Sequence, residues 1–282
     1  MDYTFYDLCC GTGALTLRLL DAPRSSPFPM TGCKRAYADP ILVALGAAGR
    51  RPANIVMADC GPWGNFWTVL AQERSGEQIA EYIEYVLGAA GAGVAVFDHL
   101  KTEPVPSDPV EQAAVFACLQ VANGRGRAVQ IKDGMWRTHG YAHLSNLARE
   151  KGFPERLRPH RVAERVRGLA AVDWPDVRVH TGDLRTLDLA PQAGDVVALD
   201  PPYRDTLGYG DRDLDRSEVL YQGRMLAARG ATVGICEKES LTDDLPGWAS
   251  QEVKGKMWQK RSMGKSGEWI TISPSLDHFN LA

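Results

Sequence analysis

The chain has 282 residues, of which 44% are hydrophobic and 24% are charged, and its formal net charge is −3. These values are typical of a globular protein with a substantial core, built as one large domain or as one domain with an insert. They exclude a strongly basic protein, so any nucleic-acid contact must rest on local charge.

Membrane, secretory and metal-binding classes are not favoured. No run of 18 apolar residues predicts a membrane span, and the first residues lack the basic and apolar regions of a signal peptide. The six cysteines show no CxxC spacing and no nearby histidine pairing, which indicates reduced thiols and no zinc site. We therefore expect a cytoplasmic protein of a bacterial or virus-infected cell, with no membrane partner and no metal.

The first predicted unit is a strand, a glycine turn and a helix. Residues Tyr3 to Leu8 alternate in polarity, the turn reads Asp7-Leu-Cys-Cys-Gly11-Thr-Gly13, and an apolar helical run from Ala14 to Leu20 follows. This is the opening βα unit of a nucleotide-type fold. Gly11 and Gly13 would let the backbone approach a ligand where any Cβ would intrude.

The same turn predicts the charge of its ligand. Thr16 stands where the dinucleotide fingerprint has its third glycine, which argues against a pyrophosphate cofactor. The acid before the turn suits a cation better than a phosphate, and S-adenosylmethionine carries an ammonium and a sulfonium.

Two further strands are predicted to end in acids. Residues 35–39 would form a second strand, so that Asp39 takes ribose hydroxyls, although Asp39 is equally suited to cap the helical run that follows it. Residues Asn54 to Ala58 would form a third short strand that ends at Asp59. Helices are expected at about 76–87 and 109–121, with a loop at 102–108 between them.

The stretch from Val121 to Gly168 is basic. It contains eleven Lys or Arg residues and four acids, a balance of +7. Its glycines, arginines and aromatic residues suit a loop or hairpin that grips a phosphodiester backbone, with Arg125, Arg127, Lys132 and Arg137 as the candidate DNA contacts. The arginine stripe of the helix predicted near 159–171 is better interpreted as a solvated face.

The central strand is predicted at Asp195 to Leu199 and is followed by Asp200-Pro201-Pro202-Tyr203. The two prolines end the strand, and open α/β sheets bind ligands at the carboxyl ends of their strands. A planar base could stack on Tyr203 while Asp200 and the Pro201 carbonyl accept the hydrogens of its exocyclic amine. A proline-rich loop with no function after a core strand is the alternative.

The remaining elements continue this alternation. A strand from Val177 to Thr181 precedes Asp183, and a helix at about 217–228 is followed by a strand at Thr232 to Cys236. Two late strands are expected at Glu252 to Trp258 and Glu268 to Ile272. The stretch 254–265 carries five positive charges and no acid, which suits either a second backbone contact or a solvated hairpin tip.

These motifs together resemble the Dam-type (alpha-group) DNA adenine-N6 methyltransferases. The resemblance rests on the Asp7–Gly13 motif, the basic insert, residues 181–183 and the Asp200–Tyr203 element, and it covers most of 6–236. It implies an α/β fold, the Rossmann-like, mostly parallel sheet of S-adenosylmethionine-dependent methyltransferases, with a helical and loop insert. Residues 1–60 and 172–282 would form the catalytic domain, and 61–171 the target-recognition insert.

The resemblance also implies roles for single residues. The cofactor would be S-adenosylmethionine, and the partner would be double-stranded DNA. The methionine part would lie against Asp7, Cys10, Gly11 and Gly13, the ribose against Asp39, and the cofactor adenine against Asp183, with Asp59 as the competitor for that last role. The target base would be held by Asp200, Pro201, Pro202 and Tyr203.

One departure from the family concerns cofactor binding. The family usually has a Lys/Gly-rich segment before the glycine motif, whereas this chain begins almost at that motif. We therefore expect the role of that segment to be missing or to be supplied from elsewhere, and residues 260–265 are one candidate.

Three alternative functions remain open from the sequence. Cytosine-N4 methylation uses the same chemistry, although serine usually stands in place of Asp200. Amino methylation of RNA or of protein glutamine uses related tetrapeptides. A cofactor- and DNA-binding module without catalysis is the third. Cytosine-C5 methylation is excluded because none of the six cysteines follows a proline.

Overall fold

The computed structural model describes residues 2–22, 28, 33–88, 94–123, 128–138, 158–203, 215–254 and 268–274. Within these ranges the strands are β1 Thr4–Leu8, β2 Asn54–Asp59, β3 Gln130–Lys132, β4 Met135–Arg137, β5 Asp176–Thr181, β6 Val196–Leu199, β7 Thr232–Glu237, β8 Ala249–Val253 and β9 Glu268–Ile272. The α-helices are α1 Ala14–Leu19, α2 Ala38–Ala44, α3 Pro62–Trp67, α4 Gly76–Tyr82, α5 Val94–Leu100, α6 Pro109–Ala122, α7 Pro159–Ala170 and α8 Arg216–Ala228.

The chain divides into two compact units. The first unit comprises Met1–Asp21, Lys34–Cys60 and Pro175–Ala282, and the second comprises Ala22–Cys33 and Gly61–Trp174. The segment Ala22–Cys33 thus groups with the second unit, whereas the sequence pattern assigned it to the first.

The first unit is built on a seven-stranded sheet in the order β5-β2-β1-β6-β7-β9-β8. The strands from β5 to β7 are parallel, and β9 runs antiparallel to both of its neighbours. The first five strands follow the doubly wound order with its crossover beside the first strand. With the antiparallel β9 inserted before the edge strand, this is the Rossmann-like fold of S-adenosylmethionine-dependent methyltransferases, which confirms the predicted fold class.

Alternation along the central strands covers both faces of this sheet. On β1 and β6, Phe5, Val196 and Ala198 belong to one apolar cluster, which includes Leu15 of α1 and Ile41 of α2. The alternate residues of these strands belong to a second cluster with helix α8. They are Tyr6 and Leu8 of β1 and Val197 and Leu199 of β6, and they pack with Val219, Leu220 and Leu226. Because side chains of a strand point alternately to opposite faces, each strand serves both clusters.

A buried acid fixes the start of β6 against β1. Asp195 accepts hydrogen bonds from the backbone N–H of Thr4 at 2.8 Å and of Gln192 at 2.8 Å. In register, Leu8 of β1 lies opposite Leu199 of β6 and Ala58 of β2, so these three strands end at one edge of the sheet.

The second unit is mainly helical. Helix α6 is buried along most of its length, and Asp108 caps it by accepting a hydrogen bond from the Glu111 N–H at 2.9 Å. An aromatic cluster forms the core beside it, with members in edge-to-face, stacked or tilted contact: Phe28, Trp63, Phe66, Trp67, Phe116 and Trp174. Helix α4 approaches α7 closely at Gly76, where an added Cβ would lie 2.5 Å from that of Ala170.

A two-stranded hairpin in the second unit is formed by β3 and β4. Its turn residues Asp133 and Gly134 have φ angles of 53° and 70°, as a tight Asp-Gly hairpin turn requires. Gln130 pairs with Arg137 and Lys132 pairs with Met135, so these four residues share one face, while the buried Trp136 points to the other.

Most predicted elements are confirmed, with two exceptions among the described residues. No strand forms at 35–39, because Lys34–Ala36 is a 3-10 turn and Asp39 lies in the first turn of α2. The strand predicted at 252–258 begins earlier, at Ala249, and ends at Val253. None of the helices within the described ranges combines the length and the apolar character needed to cross a membrane.

Candidate active site

The glycine turn after β1 is strained in a way that only particular residues accept. Gly11 and Gly13 have φ angles of 47° and 62°, and Gly13 is also the residue that caps α1. Side chains with a Cβ rarely adopt this left-handed region, so the backbone favours glycine at both positions, although Cys9 of the same turn has a φ angle of 61°. Cys10, which directly precedes Gly11, is buried, and burial raises the pKa of its thiol. A thiol that stays protonated is not a nucleophile.

Asp7 lies inside the sheet edge and is almost fully buried. Its Oδ2 atom accepts hydrogen bonds from the Thr16 hydroxyl at 2.7 Å and the Thr16 N–H at 3.2 Å. Burial raises the pKa of Asp7 to about 7, against the lowering effect of those bonds. Thr16, noted in the sequence only as a missing glycine, therefore has a positive role, since it ties α1 to the acid of β1.

Asp59 ends β2 and contacts the same turn. Its Oδ2 atom accepts a hydrogen bond from the Gly11 N–H at 2.7 Å. Burial raises its pKa to about 7, with further contributions from the neighbouring charges of Asp7 and Asp200. The sheet order makes β2 the strand next to β1, so Asp59 holds the position that the sequence pattern gave to Asp39.

The prediction that Asp39 lies at the end of a strand is wrong. Asp39 lies in the first turn of α2, its side chain is 48% exposed, and it is ion-paired with Arg18. Pro40 explains the difference, because proline fits the first turn of a helix but cannot continue a sheet ladder. The Asp-Pro pair therefore begins a helix rather than ending a strand.

Asp183 follows β5, the next strand of the sheet beyond β2. It caps a 3-10 turn, Leu184–Thr186, by accepting a hydrogen bond from the Arg185 N–H at 2.9 Å. Its carboxylate is also paired with the Arg185 guanidinium, which reaches Glu218 as well. The acid is thus at the predicted strand end, and its side chain remains 27% exposed.

Asp200 stands at the end of β6, where its N–H donates to the Leu8 carbonyl at 3.1 Å. Pro201 is buried, and Pro202 and Tyr203 are half-buried. The ring of Tyr203 packs against the apolar cluster under α1 and α2. The tetrapeptide is therefore held by the central strand and by the core, as the sequence predicted.

Lys34 is the site residue that the sequence did not reveal. It is 4% exposed, and its Nζ atom lies 2.6 Å from Oδ1 of Asp200 and 3.0 Å from Oε1 of Glu268. The same atom lies 4.4 Å from the centroid of the Tyr203 ring, a cation–π contact. A single lysine at the start of a 3-10 turn has no local pattern that predicts such burial.

Alternation brings the partners of Lys34 together. Asp200 follows Val196 and Ala198 on β6, Cys236 lies on β7, and Glu268 and Ile270 lie on β9, all on the face that α1 and α2 cover. Asp200, Cys236 and Glu268 place one ligand-type atom each within 4.8 Å of one another. The Lys34 ammonium already forms ion pairs with Asp200 and Glu268, so the cation in this cluster is the lysine.

In this cluster, burial and the opposite charge of the ion-pair partner shift the pKa of each group in opposite directions. Burial alone would lower the pKa of Lys34, but Asp200 and Glu268 raise it above its ordinary value. Burial raises the pKa of Asp200, and Lys34 opposes this shift. Burial likewise raises the pKa of Glu268 to about 6. The lysine is thus protonated at neutral pH, which favours the ionised form of both acids.

This edge of the sheet is suited to a cationic ligand. Asp7, Asp59 and Asp200 come from three adjacent strands, and the charge of Asp200 raises the pKa of both Asp7 and Asp59, so three acids lie close together around the Gly11–Gly13 turn. A sulfonium and an ammonium would relieve that repulsion, whereas a phosphate would increase it. The residues therefore fit S-adenosylmethionine.

The predicted DNA contacts lie in the second unit and are described in part. Arg125 and Arg127 lie outside the described residues. Lys132 and Arg137 are exposed on one face of the hairpin, and neither forms an ion pair with another described residue. The candidate segment 260–265 also lies outside the described residues.

Two arginines of α7 are compensated by acids. Arg167 donates to Glu77 at 2.7 Å and to both carboxylate oxygens of Glu84 at 2.8 Å, and Arg161 pairs with Glu164. Glu77 and Glu84 lie outside the stretch 121–168, so the balance of +7 overstates the charge that this helix presents.

No protein-family model and no curated protein matches this chain. Among solved structures, the rRNA methyltransferase aviRa from Streptomyces viridochromogenes is similar, at 14% identity and a TM-score of 0.32, over 96% of this chain and 76% of that one. SMU.472, described as a methyltransferase complexed with SAH, is 17% identical at a TM-score of 0.25. The match covers 57% of this chain and 45% of SMU.472. Both TM-scores are low, so neither likeness informs the chemistry of this chain.

Proposed function

We propose that this chain is a site-specific DNA methyltransferase, which transfers a methyl group from S-adenosylmethionine to the exocyclic N6 amine of adenine. The observation that carries the proposal is the sheet edge at which Asp7, Asp59 and the Asp200–Tyr203 element converge on one glycine turn. The fold supports methyl transfer, but a fold hosts many activities, so the site must carry the argument.

The cofactor would lie across the ends of β1, β2 and β5. Gly11 and Gly13 would allow its methionine part to approach the backbone, with Asp7 and Asp59 supplying negative charge nearby. Asp59 would also take the ribose hydroxyls in place of Asp39, because it ends the strand beside β1. Asp183, one strand further out, would then accept from the cofactor adenine, so the two acids have different roles.

The target base would lie at the end of β6. Asp200 and the Pro201 carbonyl would accept the two amine hydrogens and so turn the nitrogen lone pair toward the methyl group, while Tyr203 stacks on the ring. Bound S-adenosylmethionine would supply an electrophilic methyl group with a neutral thioether as its leaving group, and the amine, once methylated, would lose one proton to solvent. Positioning and hydrogen bonding of this kind lower a barrier by several kcal/mol.

The DNA substrate is supported by the hairpin of the second unit. Lys132 and Arg137 share its exposed face, where both can contact phosphates. Arg125 and Arg127 remain predicted contacts in the adjoining segment. The target adenine must leave the duplex to reach Asp200, and stacking on Tyr203 would offset part of that cost.

The test is methyl incorporation from labelled cofactor into duplex DNA, with the digested nucleosides identified by mass. N6-methyladenine is the expected product. Asp200→Ala should reduce turnover by about a thousandfold or more, a barrier increase of about 4 kcal/mol. Asp200→Asn keeps one acceptor and should be slow rather than inactive, and the exposed Asp188→Ala is the matched control with ordinary turnover.

The identity of the methylated product tests the target base, the kind of substrate and the methyl-transfer activity separately. N4-methylcytosine, or label only in RNA or protein, would contradict the adenine or DNA substrate and keep methyl transfer. Absence of labelling in every substrate, from folded protein that binds the cofactor, would instead indicate a binding module without catalysis.

A further inference from the structure

Lys34 contacts the two side chains that the proposed reaction requires at the target base. We propose that Lys34 is a positioning residue, which holds Oδ1 of Asp200 and the Tyr203 ring in the orientation in which they bind the target base. This proposal rests on the proposed function of the site. Its geometric basis is the 2.6 Å contact with Asp200 and the 4.4 Å contact with the ring.

The geometry allows lysine and base to bind together. A carboxylate has two oxygens and about four lone-pair sites, so one ammonium bond to Oδ1 does not exhaust it. An aromatic ring has two faces, and a cation occupies only one of them. Lys34 is 4% exposed, so its contacts with both groups are shielded from water.

The ammonium also determines whether Asp200 can accept a hydrogen bond from the amine. Negative or ionisable groups face Asp200 from four neighbouring strands: Asp7 and Cys9 at β1, Asp59 on β2, Cys236 on β7 and Glu268 on β9. Burial raises the pKa of Asp200 and so favours its protonated form, and Lys34 opposes this shift. A protonated Asp200 would carry an O–H donor toward the amine hydrogens, which is the wrong polarity.

Glu268 provides the matched control because it shares the same ammonium. Its Oε1 atom lies 3.0 Å from Nζ of Lys34. Removing the negative charge of Glu268 frees the ammonium from its second ion pair, so that it interacts more strongly with Asp200. The same change removes a repulsive neighbour, so the pKa of Asp200 should fall. Removing Lys34 should raise it. Two substitutions in one cluster are therefore expected to act in opposite directions.

The experiment compares the full chain with Lys34→Met and Glu268→Gln. Carbon-13 NMR of the aspartate carboxyls measures the pKa of Asp200 directly, with Asp200→Asn used to assign the signal. Methyl transfer is measured in parallel from pH 5.5 to 9.5, and affinity for S-adenosylhomocysteine is measured by calorimetry. Methionine keeps the length and apolar stem of lysine and removes the charge.

We expect Lys34→Met to raise the pKa of Asp200 by about 1 to 3 units, as is usual when an opposite charge at this distance is removed. The acid side of the pH profile of kcat should move to higher pH by the same amount, so turnover of Lys34→Met falls toward the acid end of the range and recovers toward pH 9. Glu268→Gln should move the acid side to lower pH. Lys34→Arg should restore the wild-type profile, and affinity for S-adenosylhomocysteine should stay within about twofold of wild type.

The outcomes distinguish this inference from the proposed function. An unchanged pKa of Asp200 in Lys34→Met overturns the inference even if methyl transfer is found, and faster turnover at pH 7 would indicate that Lys34 blocks the amine position instead. A shifted pKa without methyl transfer by the wild type overturns the proposed function alone. If Lys34→Met does not fold, Glu268→Gln decides, because a pKa that does not fall contradicts the shared ammonium.

Discussion

Charged residues behave differently in the two units of this protein. At the sheet edge of the first unit, Asp7, Asp59 and Asp200 are buried, and burial raises the pKa of each. On α7 in the second unit, Arg161 is exposed and pairs with an acid one turn away. The buried charges therefore carry energetic consequences that exposed pairs, worth about 0 to 1 kcal/mol, do not.

This difference shows which sequence features predict the position of a charged group in the fold. The position of an acid after a buried strand predicts where its carboxylate lies, because the sheet fixes the strand end. A sum of charges along a stretch predicts much less, because Arg167 is compensated by Glu77 and Glu84 from another helix. Four experiments test this difference between the two units.

The largest expected effect is on stability as a function of pH. The folded pKa of Asp7, about 7, lies above its ordinary value of 3.8, so the native state binds a proton that the unfolded chain releases. The stability contributed by this proton is full below pH 3.8 and is lost as pH rises through about 7. We expect Asp7→Asn, which removes this titration, to gain on the order of 3 kcal/mol relative to wild type between pH 5 and pH 8.

Urea denaturation of both proteins at pH 5, 6, 7 and 8 measures this difference. Titrating groups that are not coupled to Asp7 cancel in the comparison, whereas Asp59 and Asp200 are coupled to it and contribute to the difference. Asp188→Asn, at an exposed position of the same unit, is the control and should parallel the wild type. Parallel curves for Asp7→Asn as well would mean that Asp7 is ionised throughout and that its burial has no such cost.

The second experiment separates backbone strain from ligand approach. Gly13 and Gly46 have nearly the same φ, 62° and 66°, but Gly46 is exposed in the turn after α2 with nothing within 4 Å of an added Cβ. Replacement by alanine should cost about 1 kcal/mol of stability at either position. Only Gly13→Ala should weaken the cofactor, by about a hundredfold or 2.7 kcal/mol. Calorimetry with equal losses in both variants would show strain alone.

The third experiment addresses the exchange of roles between Asp39 and Asp59. Asp59→Asn can still accept from the Gly11 N–H but loses its charge and one acceptor, so cofactor affinity should fall by about tenfold, or 1.4 kcal/mol. Asp39→Asn loses an exposed ion pair with Arg18 and should bind normally. Weaker binding by Asp39→Asn together with normal binding by Asp59→Asn would restore the original assignment.

The sequence was sufficient for the sheet and the main site because both depend on local patterns. A buried run that ends in Asp200-Pro-Pro-Tyr203, and a strand that ends in a Gly11–Gly13 turn, specify the strand ends directly. Helix α7 was equally predictable, since Val162, Val166 and Leu169 recur at helical spacing and are all buried.

The errors arose where distant residues decide the outcome. Lys34 is buried only because Asp200 and Glu268, far along the chain, surround it, and no local pattern contains that information. Asp39 was misplaced because an acid before a proline suits both a strand end and a helix start. Glu77 and Glu84 did carry a signal, since helical periodicity places both on the same side of α4 and its continuation, where an arginine from another helix can reach them.

The smallest expected effect tests the second unit itself. Lys132 and Arg137 are exposed on one face of the hairpin without an ion pair among the described residues, whereas Arg161 is paired with Glu164. Each cation that contacts a DNA phosphate releases counterions and adds about one unit to the slope of log affinity against log salt. Lys132→Ala and Arg137→Ala should each reduce that slope by about one.

Arg161→Ala is the matched control, because removing a compensated charge should leave the salt slope of DNA binding unchanged. Fluorescence anisotropy on duplexes of several sequences, from 50 to 300 mM salt, distinguishes a phosphate contact from base readout, since only base readout changes the preference among sequences. Salt slopes equal to that of the wild type in all three variants would exclude the hairpin as a DNA contact. The phosphate contacts would then have to lie in the adjoining segment with Arg125 and Arg127, where the same substitutions and the same slope provide the test.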